Sequence, residues 1–311
     1  MQSLTDRTPD GNHISVCICT YKRPGLLANL LKKLQQQCTN GLFTYSAVIV
    51  DNDKNESAKD VVESLKRKSS FDIDYFVEPE QNISLARNKA VGIARGNFIA
   101  LIDDDEYPGP NWLLNYYKTL TSISADGALG PVVPYYPAGI PEWIIKSKIW
   151  EKRSRKTGAV LNWPETRTSN VFLNRSILDD QAQPFDPKFG LTGGEDQDFF
   201  KRMMNNGRRF AWCNEAEVHE VVPSERWKRR FYLKKYLQMG GQTGELAKKW
   251  PFQMKCKWSV KSILAIGFYG LSLPLSLLGG QHVFMKYLLK GLYFFGWLAA
   301  FLWRPIIKFR Y

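Results

Sequence analysis

The sequence has no Gly-rich phosphate-binding signature. Neither a G-x-G-x-x-G pattern nor a G-x-x-x-x-G-K-[ST] pattern occurs in its 311 residues. The first pattern accompanies dinucleotide-binding folds, and the second cradles phosphates in P-loop enzymes. Both classes of protein therefore lose support.

Cysteine is scarce, and its spacing argues against the usual structural uses. The five cysteines form no C-x-x-C pair and no zinc-like spacing, and their number is odd. Cys17 and Cys19 alternate with apolar neighbours in a strand-like run, which favours buried free thiols over disulfides and suits a reducing compartment. Residues 1–12 are polar without a hydrophobic region, so we expect no secretory signal peptide there.

Acidic residues are almost absent from the C-terminal part of the chain. From Arg226 to Tyr311 there are sixteen Lys and Arg residues and a single acid, Glu245, whereas the preceding residues are close to neutral. The whole chain carries a net charge of +13. Such a cationic tail indicates either nucleic acid or an anionic membrane surface as a partner.

Short apolar runs alternate with helical patterns through the first hundred residues. Strand-like runs cover 14–20, 47–50, 73–77 and 97–102, and helical spacing follows in 26–34, 57–68 and 84–94. This alternation predicts an α/β fold with a mostly parallel, Rossmann-like sheet and helices on both faces. Polar residues follow the first, second and fourth strands, where open α/β sheets bind ligands, so we expect a nucleotide site at that edge.

Three adjacent carboxylates end the fourth apolar run. Asp103, Asp104 and Asp105 repel one another and gain nothing from packing at this position. Hard oxygen ligands suit Mg²⁺ or Mn²⁺, so a divalent-cation site is one interpretation. An acidic turn that caps the next helix is the alternative.

A second cluster pairs glycines with acids. Gly193 and Gly194 permit close approach of the backbone, and Glu195 and Asp196 follow where a helix begins and negative charge is favoured. A catalytic site and an ordinary helix start with capping acids are both consistent with this stretch.

Five motifs together resemble family 2 glycosyltransferases with the GT-A fold, and among these the bacterial ExoM-type exopolysaccharide glucosyltransferases. The resemblance covers about residues 14–235. It rests on the segments 15–24 (SVCICTYKRP), 50–53 (VDND), 86–88 (ARN), 102–106 (IDDDE) and 193–199 (GGEDQDF). It implies a metal-dependent, inverting transfer of a sugar from a nucleotide donor.

The resemblance also implies roles for individual residues. Asp51 would accept the uracil imide N–H, a hydrogen bond that favours uridine or thymidine over cytidine, and the donor we expect is a UDP-sugar. Asp196 would be the general base that deprotonates the acceptor hydroxyl, and Glu195 would position the acceptor. The other nucleotide-sugar-binding residues implied in this way are Thr20, Tyr21, Arg23, Asp53, Arg87, Asp103 and Asp104.

The resemblance further implies a metal ion, Mn²⁺ or Mg²⁺, that bridges the donor diphosphate and stabilises it as the leaving group. Asp105 would be its ligand. His219, 23 residues after Asp196, is a further candidate, although a surface histidine at a strand end explains it equally well.

One departure from the family pattern concerns processivity. Processive members carry a Gln-x-x-Arg-Trp motif after the base, and the corresponding stretch here, Pro223–Trp227, has the Arg-Trp pair without the Gln. This indicates addition of one sugar per acceptor. The donor sugar, the acceptor and the linkage are not indicated, although Trp143, Trp150 and Trp163 are candidate sugar-stacking residues.

Two apolar runs follow in the cationic tail, Ser262–Met285 without a charged residue and then Leu288–Trp303. Pro274, Gly279 and Gly280 interrupt the first run, and Lys290 lies near the start of the second, so each is imperfect as a membrane span. The bases that flank this pair are Lys255, Lys257, Lys261, Arg304, Lys308 and Arg310. A membrane-spanning hairpin with both ends cytoplasmic, a pair of interfacial helices and a soluble hairpin packed on the body are all compatible with this pattern.

We therefore expect three segments: a GT-A catalytic domain over 1–225, basic amphipathic interface helices over 226–258, and a hydrophobic helical hairpin over 259–311. The predicted protein is a membrane-bound glycosyltransferase at the cytoplasmic face of a bacterial inner membrane. Its partners would be a UDP-sugar, a lipid-linked or cell-envelope glycan acceptor, and an anionic membrane surface.

Two other functional classes are possible on this sequence. A nucleic-acid-binding protein would use the basic tail, but the long uncharged apolar stretches argue against it. A sugar-nucleotide-binding or nucleotidyltransferase module without glycosyl transfer would have no need of the Glu195-Asp196 pair.

Overall fold

The computed structural model describes residues 11–179, 181–191 and 193–303. The chain forms two compact units, one from the residues up to Pro134 together with Lys152–Glu220, and the other from Tyr135–Glu151 together with the residues from Val221 onward. Arg304, Lys308 and Arg310 of the predicted basic flank, and most of the polar stretch 1–12, lie outside the described residues. The predicted segment boundaries at 225 and 258 stay predictions.

The described residues form ten strands: β1 (His13–Thr20), β2 (Thr44–Asp51), β3 (Asp72–Val77), β4 (Phe98–Asp103), β5 (Glu106–Pro108), β6 (Gly127–Leu129), β7 (Val132–Tyr135), β8 (Val171–Asn174), β9 (Phe210–Trp212) and β10 (Val218–Val221). The larger sheet has the order β3-β2-β1-β4-β8-β6-β9, and a smaller one has the order β5-β10-β7. In the larger sheet every strand runs parallel except β8, which is antiparallel to β4 and β6. The predicted mostly parallel sheet is confirmed.

The helices of the described residues are α1 (Pro24–Leu34), α2 (Lys59–Lys66), α3 (Ile83–Ile93), α4 (Trp112–Ser122), α5 (Glu142–Ser147), α6 (Ser176–Asp179), α7 (Glu195–Asn205), α8 (Arg229–Ala247), α9 (Phe252–Ser276) and α10 (Gln281–Leu302). Side chains alternate along a strand, so β1 contributes Ile14, Val16 and Ile18 to a core shared with α1, α2 and α4. Cys17 points to the opposite core, which α3, α6 and α7 cover. Helices therefore lie on both faces of the sheet, as predicted.

Three neighbouring parallel strands bring the predicted nucleotide residues to one edge. Thr20 ends β1 and lies opposite Asp51, which ends β2. Asp103 ends β4 and lies opposite Cys19 of β1. This register alone places the first, second and fourth predicted motifs within reach of one ligand.

The second unit is built on close contact between α8 and α10. A Cβ at Gly240 would lie 2.0 Å from the Tyr293 carbonyl oxygen, and one at Gly244 would lie 2.3 Å from that of Trp297. The absence of a side chain at both positions is therefore what lets the two backbones approach so closely.

Residues 135–151 belong to this second unit, although the sequence placed them in the catalytic segment. Trp143 and Ile144 of α5 are buried in a cluster with Tyr232, Met285 and Leu289. Burial of these large apolar side chains holds the segment against the C-terminal helices.

The two C-terminal helices differ in burial. Among the described residues, one helical stretch, Phe252–Gly279, has the length and apolar character needed to cross a membrane. Its apolar residues that are more than half exposed include Val260, Ile263, Leu264, Phe268, Leu271 and Leu275. By contrast, α10 buries Met285, Leu289 and Trp297 inside the unit. The exposed apolar surface of α9 fits a membrane-associating region.

The turn between these helices divides the first apolar run. A short 3-10 turn covers Leu277–Gly279, and Gly280 has a φ of +89°, which ends the helical path. The uncharged run Ser262–Met285 is therefore shared between α9 and α10, and its last five residues belong to α10. The break falls at Gly279 and Gly280, which also interrupt the run in the sequence.

Candidate functional site

The acid trio at the end of β4 is organised by ion pairs. Asp104 is buried, and its Oδ2 accepts a hydrogen bond from Thr20 Oγ1 at 2.7 Å. Arg23 Nη1 lies 3.1 Å from Asp104 Oδ1 and 3.0 Å from Asp105 Oδ2. Burial raises the pKa of Asp104 to about 6, although Arg23 and the Thr20 hydroxyl oppose this shift. These contacts join the end of β1 to the acid trio.

Asp51 is fully buried at the end of β2, where it organises the loop that follows. Its Oδ1 accepts the N–H of Asp53 at 3.0 Å, and its Oδ2 accepts the N–H of Ala58 at 2.8 Å and the hydroxyl of Tyr75 at 2.9 Å. Asp53 is also buried and accepts the N–H of Asn55. Both oxygens of Asp51 therefore have protein partners, and the predicted uracil contact stays a prediction.

The loop after β1 carries two of the predicted nucleotide residues, Tyr21 and Arg23. Tyr21 is partly buried, and the Lys22 ammonium lies 5.1 Å from the centroid of its ring. Lys22 has a φ of +55°, in the left-handed region that side chains other than glycine seldom adopt. The chain turns sharply here before α1 begins at Pro24.

Arg87 of α3 connects the two predicted clusters. Its guanidinium pairs with Glu195 and lies 3.7 Å from Asp103 Oδ1. The side chains of Arg87 and Glu195 are 11% and 10% exposed, whereas that of Asp103 is 46% exposed. Burial opposes its charge, but the carboxylates of Asp103 and Glu195 outweigh burial and raise the pKa of Arg87. Arg87 was predicted to contact the nucleotide-sugar donor. In the structure it also forms an ion pair with Glu195.

The start of α3 is fixed to the loop that leads into the second cluster. Asn82 caps the helix, accepting the N–H groups of Ser84 and Leu85, and donates to the Pro187 carbonyl at 2.9 Å. A Cβ on Gly190 would lie 1.6 Å from Asn82 Oδ1, so only glycine permits this approach. Asn88 exchanges two hydrogen bonds with the backbone of Phe185. Sequence analysis assigned no role to Asn82, and Asn88 appeared there only as part of the 86–88 motif.

Two glycines in the left-handed conformation directly precede the helix that begins with Glu195 and Asp196. Gly193 and Gly194 have φ values of +77° and +103°, and α7 begins directly after them with Glu195 and Asp196. Asp196 Oδ1 accepts the N–H of Gln197 at 2.7 Å. Burial, together with the charge of Glu195, raises the pKa of Asp196 above its ordinary value. A carboxylate with a raised pKa is a better proton acceptor than an ordinary surface Asp.

A cavity of about 400 Å³ opens beside Asp196 in the first unit. Its charged lining residues are Lys152, Arg153, Arg155, Glu165, Arg167 and Asp196, with Trp212 on the wall. Sequence reasoning missed the four cations. Three of them, Lys152, Arg153 and Arg155, lie in the basic run KRSRK at 152–156, which by itself is typical of a solvated charged segment, and Arg167 has no such signal.

Arg167 lies in the interior part of this cavity wall. Its Nη2 donates to the Gly130 carbonyl at 2.7 Å, its guanidinium lies 5.8 Å from the Trp212 ring centroid, and its Nε is buried without a hydrogen-bond partner. Burial lowers the pKa of Arg167, although nearby Glu106 opposes this. Glu106, at 2% exposure, in turn accepts the N–H of Asp103 at 3.2 Å, and burial raises its pKa well above the ordinary value. The charge of Glu106 therefore acts on Arg167 of the cavity wall, and its side chain contacts Asp103 of the acid trio.

The predicted metal ligands lie near the paired strands β5 and β10. His219 is opposite Tyr107 in that register, two residues after Asp105. The His219 Nδ1 is buried without a hydrogen-bond partner, and its Nε2 lies 3.9 Å from Glu217 Oε1. Within residues 11–303, leaving out 180 and 192, no group of three or more His, Cys, Asp or Glu side chains is placed to hold a metal.

The three candidate sugar-stacking tryptophans have different surroundings. Trp143 is 6% exposed in the core of the second unit, and Trp150 donates a hydrogen bond to the Tyr232 hydroxyl at 2.7 Å. Trp163 is 39% exposed, with the Lys201 ammonium 5.4 Å from its ring centroid. Of the three, Trp163 is the one that lies in the first unit with its ring open to solvent.

Comparison with solved structures supports the fold. The crystal structure of S. aureus TarS 1-349 in complex with UDP superposes with a TM-score of 0.54 at 15% identity, covering 93% of this chain and 90% of that one. At such low identity the likeness shows the fold alone. It agrees with the predicted GT-A architecture.

Comparison of sequences shows the family. The chain matches Glycosyl transferase family 2 over residues 15–180 and Glycosyl transferase family group 2 over residues 98–307. Succinoglycan biosynthesis protein ExoM of Rhizobium meliloti is 32% identical over 254 residues, covering 80% of this chain and 79% of that protein. Poly(ribitol-phosphate) beta-glucosyltransferase of Bacillus spizizenii is 28% identical over 136 residues, covering 43% of this chain and 21% of that protein. The chain is therefore a glycosyltransferase that belongs to family 2.

Proposed function

We propose that this glycosyltransferase moves one sugar from a UDP-sugar to a lipid-linked or cell-envelope glycan acceptor, with inversion, in polysaccharide biosynthesis at the cytoplasmic face of a membrane. The observation that carries the proposal is the position of Asp196. Its pKa is raised, it lines a cavity, and Glu195 beside it pairs with Arg87, which also approaches Asp103 at the nucleotide edge.

The donor side of the proposal rests on the strand ends. Thr20, Asp51 and Asp103 lie at one edge of the sheet, where α/β folds bind nucleotides. TarS, which shares the fold, has been crystallised with UDP and with UDP-GlcNAc. A uridine diphosphate is therefore the donor group that we propose.

The chemistry proposed for the acceptor side is a single displacement. Asp196 would take the proton from the acceptor hydroxyl while the oxygen attacks the anomeric carbon, and the bond to the diphosphate would break on the opposite side. One base is sufficient for this step, and the configuration inverts. Glu195, fixed by Arg87, would orient the acceptor and keep the Asp196 pKa raised.

A divalent cation, Mn²⁺ or Mg²⁺, fits the residues present because such an ion needs few protein ligands. Mg²⁺ sites in nucleotide enzymes take one or two protein ligands and fill the remaining positions with phosphate oxygens and water. The Asp105 carboxylate and the unpartnered Nδ1 of His219 could supply those ligands near the paired strands β5 and β10. When bound, such an ion would stabilise the charge on the departing diphosphate.

Membrane association is proposed through α9. Its exposed apolar residues and the basic residues before it match a segment that binds lipid. ExoM is described as a biosynthesis protein for succinoglycan, a polysaccharide product that fits an enzyme working at a membrane. Family membership also favours this function over nucleic-acid binding through the basic tail.

The decisive experiment replaces Asp196 with Asn. Transfer should fall by about 10²–10⁴-fold, because the proton acceptor is lost, while UDP binding is retained. The matched control is Asp198→Asn, a substitution of the same kind two residues along α7 at a side chain that pairs with Arg202. If Asp196→Asn loses UDP binding instead, the residue belongs to the donor site and the assignment is wrong.

The pH dependence gives a second check on the same residue. Only the deprotonated carboxylate accepts a proton, so the transfer rate should fall as the pH drops through the Asp196 pKa. Burial and Glu195 raise this pKa, so the loss should begin above the range of an ordinary Asp. A rate that stays constant down to about pH 4 would contradict the proposed base.

A further inference from the structure

The cavity beside Asp196 has more positive than negative charge. Four cations and two carboxylates line it, and one of those carboxylates, Glu165, already pairs with Arg155. An uncharged sugar would gain little from such a lining. Nearby Glu106 and Glu220 also attract Lys152 and Arg167, and an anionic ligand would add to these carboxylates as a partner for the cations.

Small polar side chains in the basic run 152–156 and directly after it anchor this wall of the cavity. Ser154 donates to Asn214 Oδ1, and Thr157 donates to Glu215 Oε2. The N–H of Asn214 donates back to Thr157 Oγ1 at 3.0 Å. With these residues fixed to the 214–215 loop, Lys152, Arg153 and Arg155 are left to line the cavity.

The interior wall adds a donor that the protein leaves unused. Arg167 Nε is buried and makes no hydrogen bond among the described residues, although its Nη2 is satisfied by Gly130. Leaving a buried N–H of a charged group unpaired is costly, and Arg167 is also one of the residues that line the cavity. Guanidinium groups match phosphate oxygens in geometry as well as in charge.

Resting on the proposed function, we infer that the acceptor carries a phosphoryl group, as a phosphate ester or diphosphate, within about one sugar ring of the attacked hydroxyl. Lys152, Arg153 and Arg167 bind this group. Because these cations and Asp196 line the same cavity, the phosphoryl group and the attacked hydroxyl lie close together on the acceptor. A phosphoryl group is favoured over a carboxylate because it brings two charges rather than one.

The test is a calorimetric titration of the full chain in detergent with UDP at saturation. Glucose 1-phosphate and farnesyl diphosphate are the charged probes, and methyl glucoside is the neutral one. We expect the charged probes to bind and the neutral one to bind at least about tenfold more weakly, because the neutral probe makes no charged hydrogen bond to the cations. The stronger of the two charged probes indicates whether a sugar phosphate or a lipid diphosphate is the natural group.

The double variant Lys152→Gln with Arg153→Gln should weaken the charged probes by about tenfold or more and leave UDP binding unchanged. The matched control, Lys118→Gln with Arg209→Gln, removes the same two charges from exposed positions of the same unit outside the cavity and should change nothing. Displacement of glucose 1-phosphate by UDP would overturn the inference, because the cations would then serve the donor. Unchanged probe binding in the double variant would also overturn it.

Two further outcomes distinguish failure of this inference from failure of the proposed function. If UDP itself does not bind, the proposed function fails before the acceptor is considered. If UDP binds but neither charged probe does, only the inference fails. Loss of binding to phosphatidylglycerol vesicles by the double variant, with glucose 1-phosphate binding intact, would assign the basic run to lipid and overturn the inference as well.

Discussion

Replacing Arg87 with Met should destabilise the protein strongly. The Glu195 carboxylate that pairs with Arg87 is only 10% exposed, so the substitution leaves an almost buried charge without its partner. Breaking a buried pair from one side costs about 3–5 kcal/mol of unfolding free energy. The second partner, Asp103, adds little because its side chain is 46% exposed and water screens it. Urea unfolding at neutral pH, followed by circular dichroism in detergent, measures the loss.

The double variant Arg87→Met with Glu195→Gln tests the cause of that loss. It removes the unmatched charge together with its partner, so it should lose clearly less than the sum of the single variants. Lys59→Met is the control, since it breaks an exposed pair with Glu56 in the same unit and should leave the unfolding curve unchanged. A loss of less than about 1 kcal/mol in Arg87→Met would refute the buried pair.

Three further predictions concern other parts of the molecule. Asp105→Asn should remove the effect of Mn²⁺ on UDP binding without unfolding the protein, and undiminished wild-type activity in EDTA would contradict the metal proposal. Gly244→Ala should lower the thermal midpoint, because its Cβ would lie 2.3 Å from a backbone oxygen of α10, whereas Gly267→Ala in α9 has open space and should not lower it. The double variant Leu264→Gln with Leu271→Gln changes two apolar side chains that are 67% and 84% exposed. It should reduce co-flotation with liposomes, because each substitution weakens apolar contact with lipid by about 1.5–3 kcal/mol. Unchanged flotation would show that α9 is not the anchor.

The nucleotide edge of the site was predictable because its geometry depends on local pattern. Apolar runs of strand length end at Thr20, Asp51 and Asp103, and the carboxyl ends of neighbouring parallel strands must share an edge. The helix that starts with Glu195 was equally visible, because paired glycines and acids mark such a start. These elements needed no knowledge of distant contacts.

Other features depended on contacts between distant segments. The aromatic residues of 135–151 gave no indication that they pack with Tyr232 and Met285, since burial of an aromatic can be satisfied by any apolar surface of the right shape. The hydrogen bonds that occupy Asp51, from Ala58 and Tyr75, likewise arise only once β2 and β3 are paired.

The sequence by itself determined the family, the parallel sheet and the acids at its edge, because strand periodicity, turn residues and motif order are local properties of the chain. Tertiary structure decided that Arg87 pairs with Glu195, 108 positions away, and that the basic run beginning at Lys152 lines a cavity with Asp196. The physical reason is that a charge takes its role from its partners and its burial. Both are fixed only when separate segments pack together.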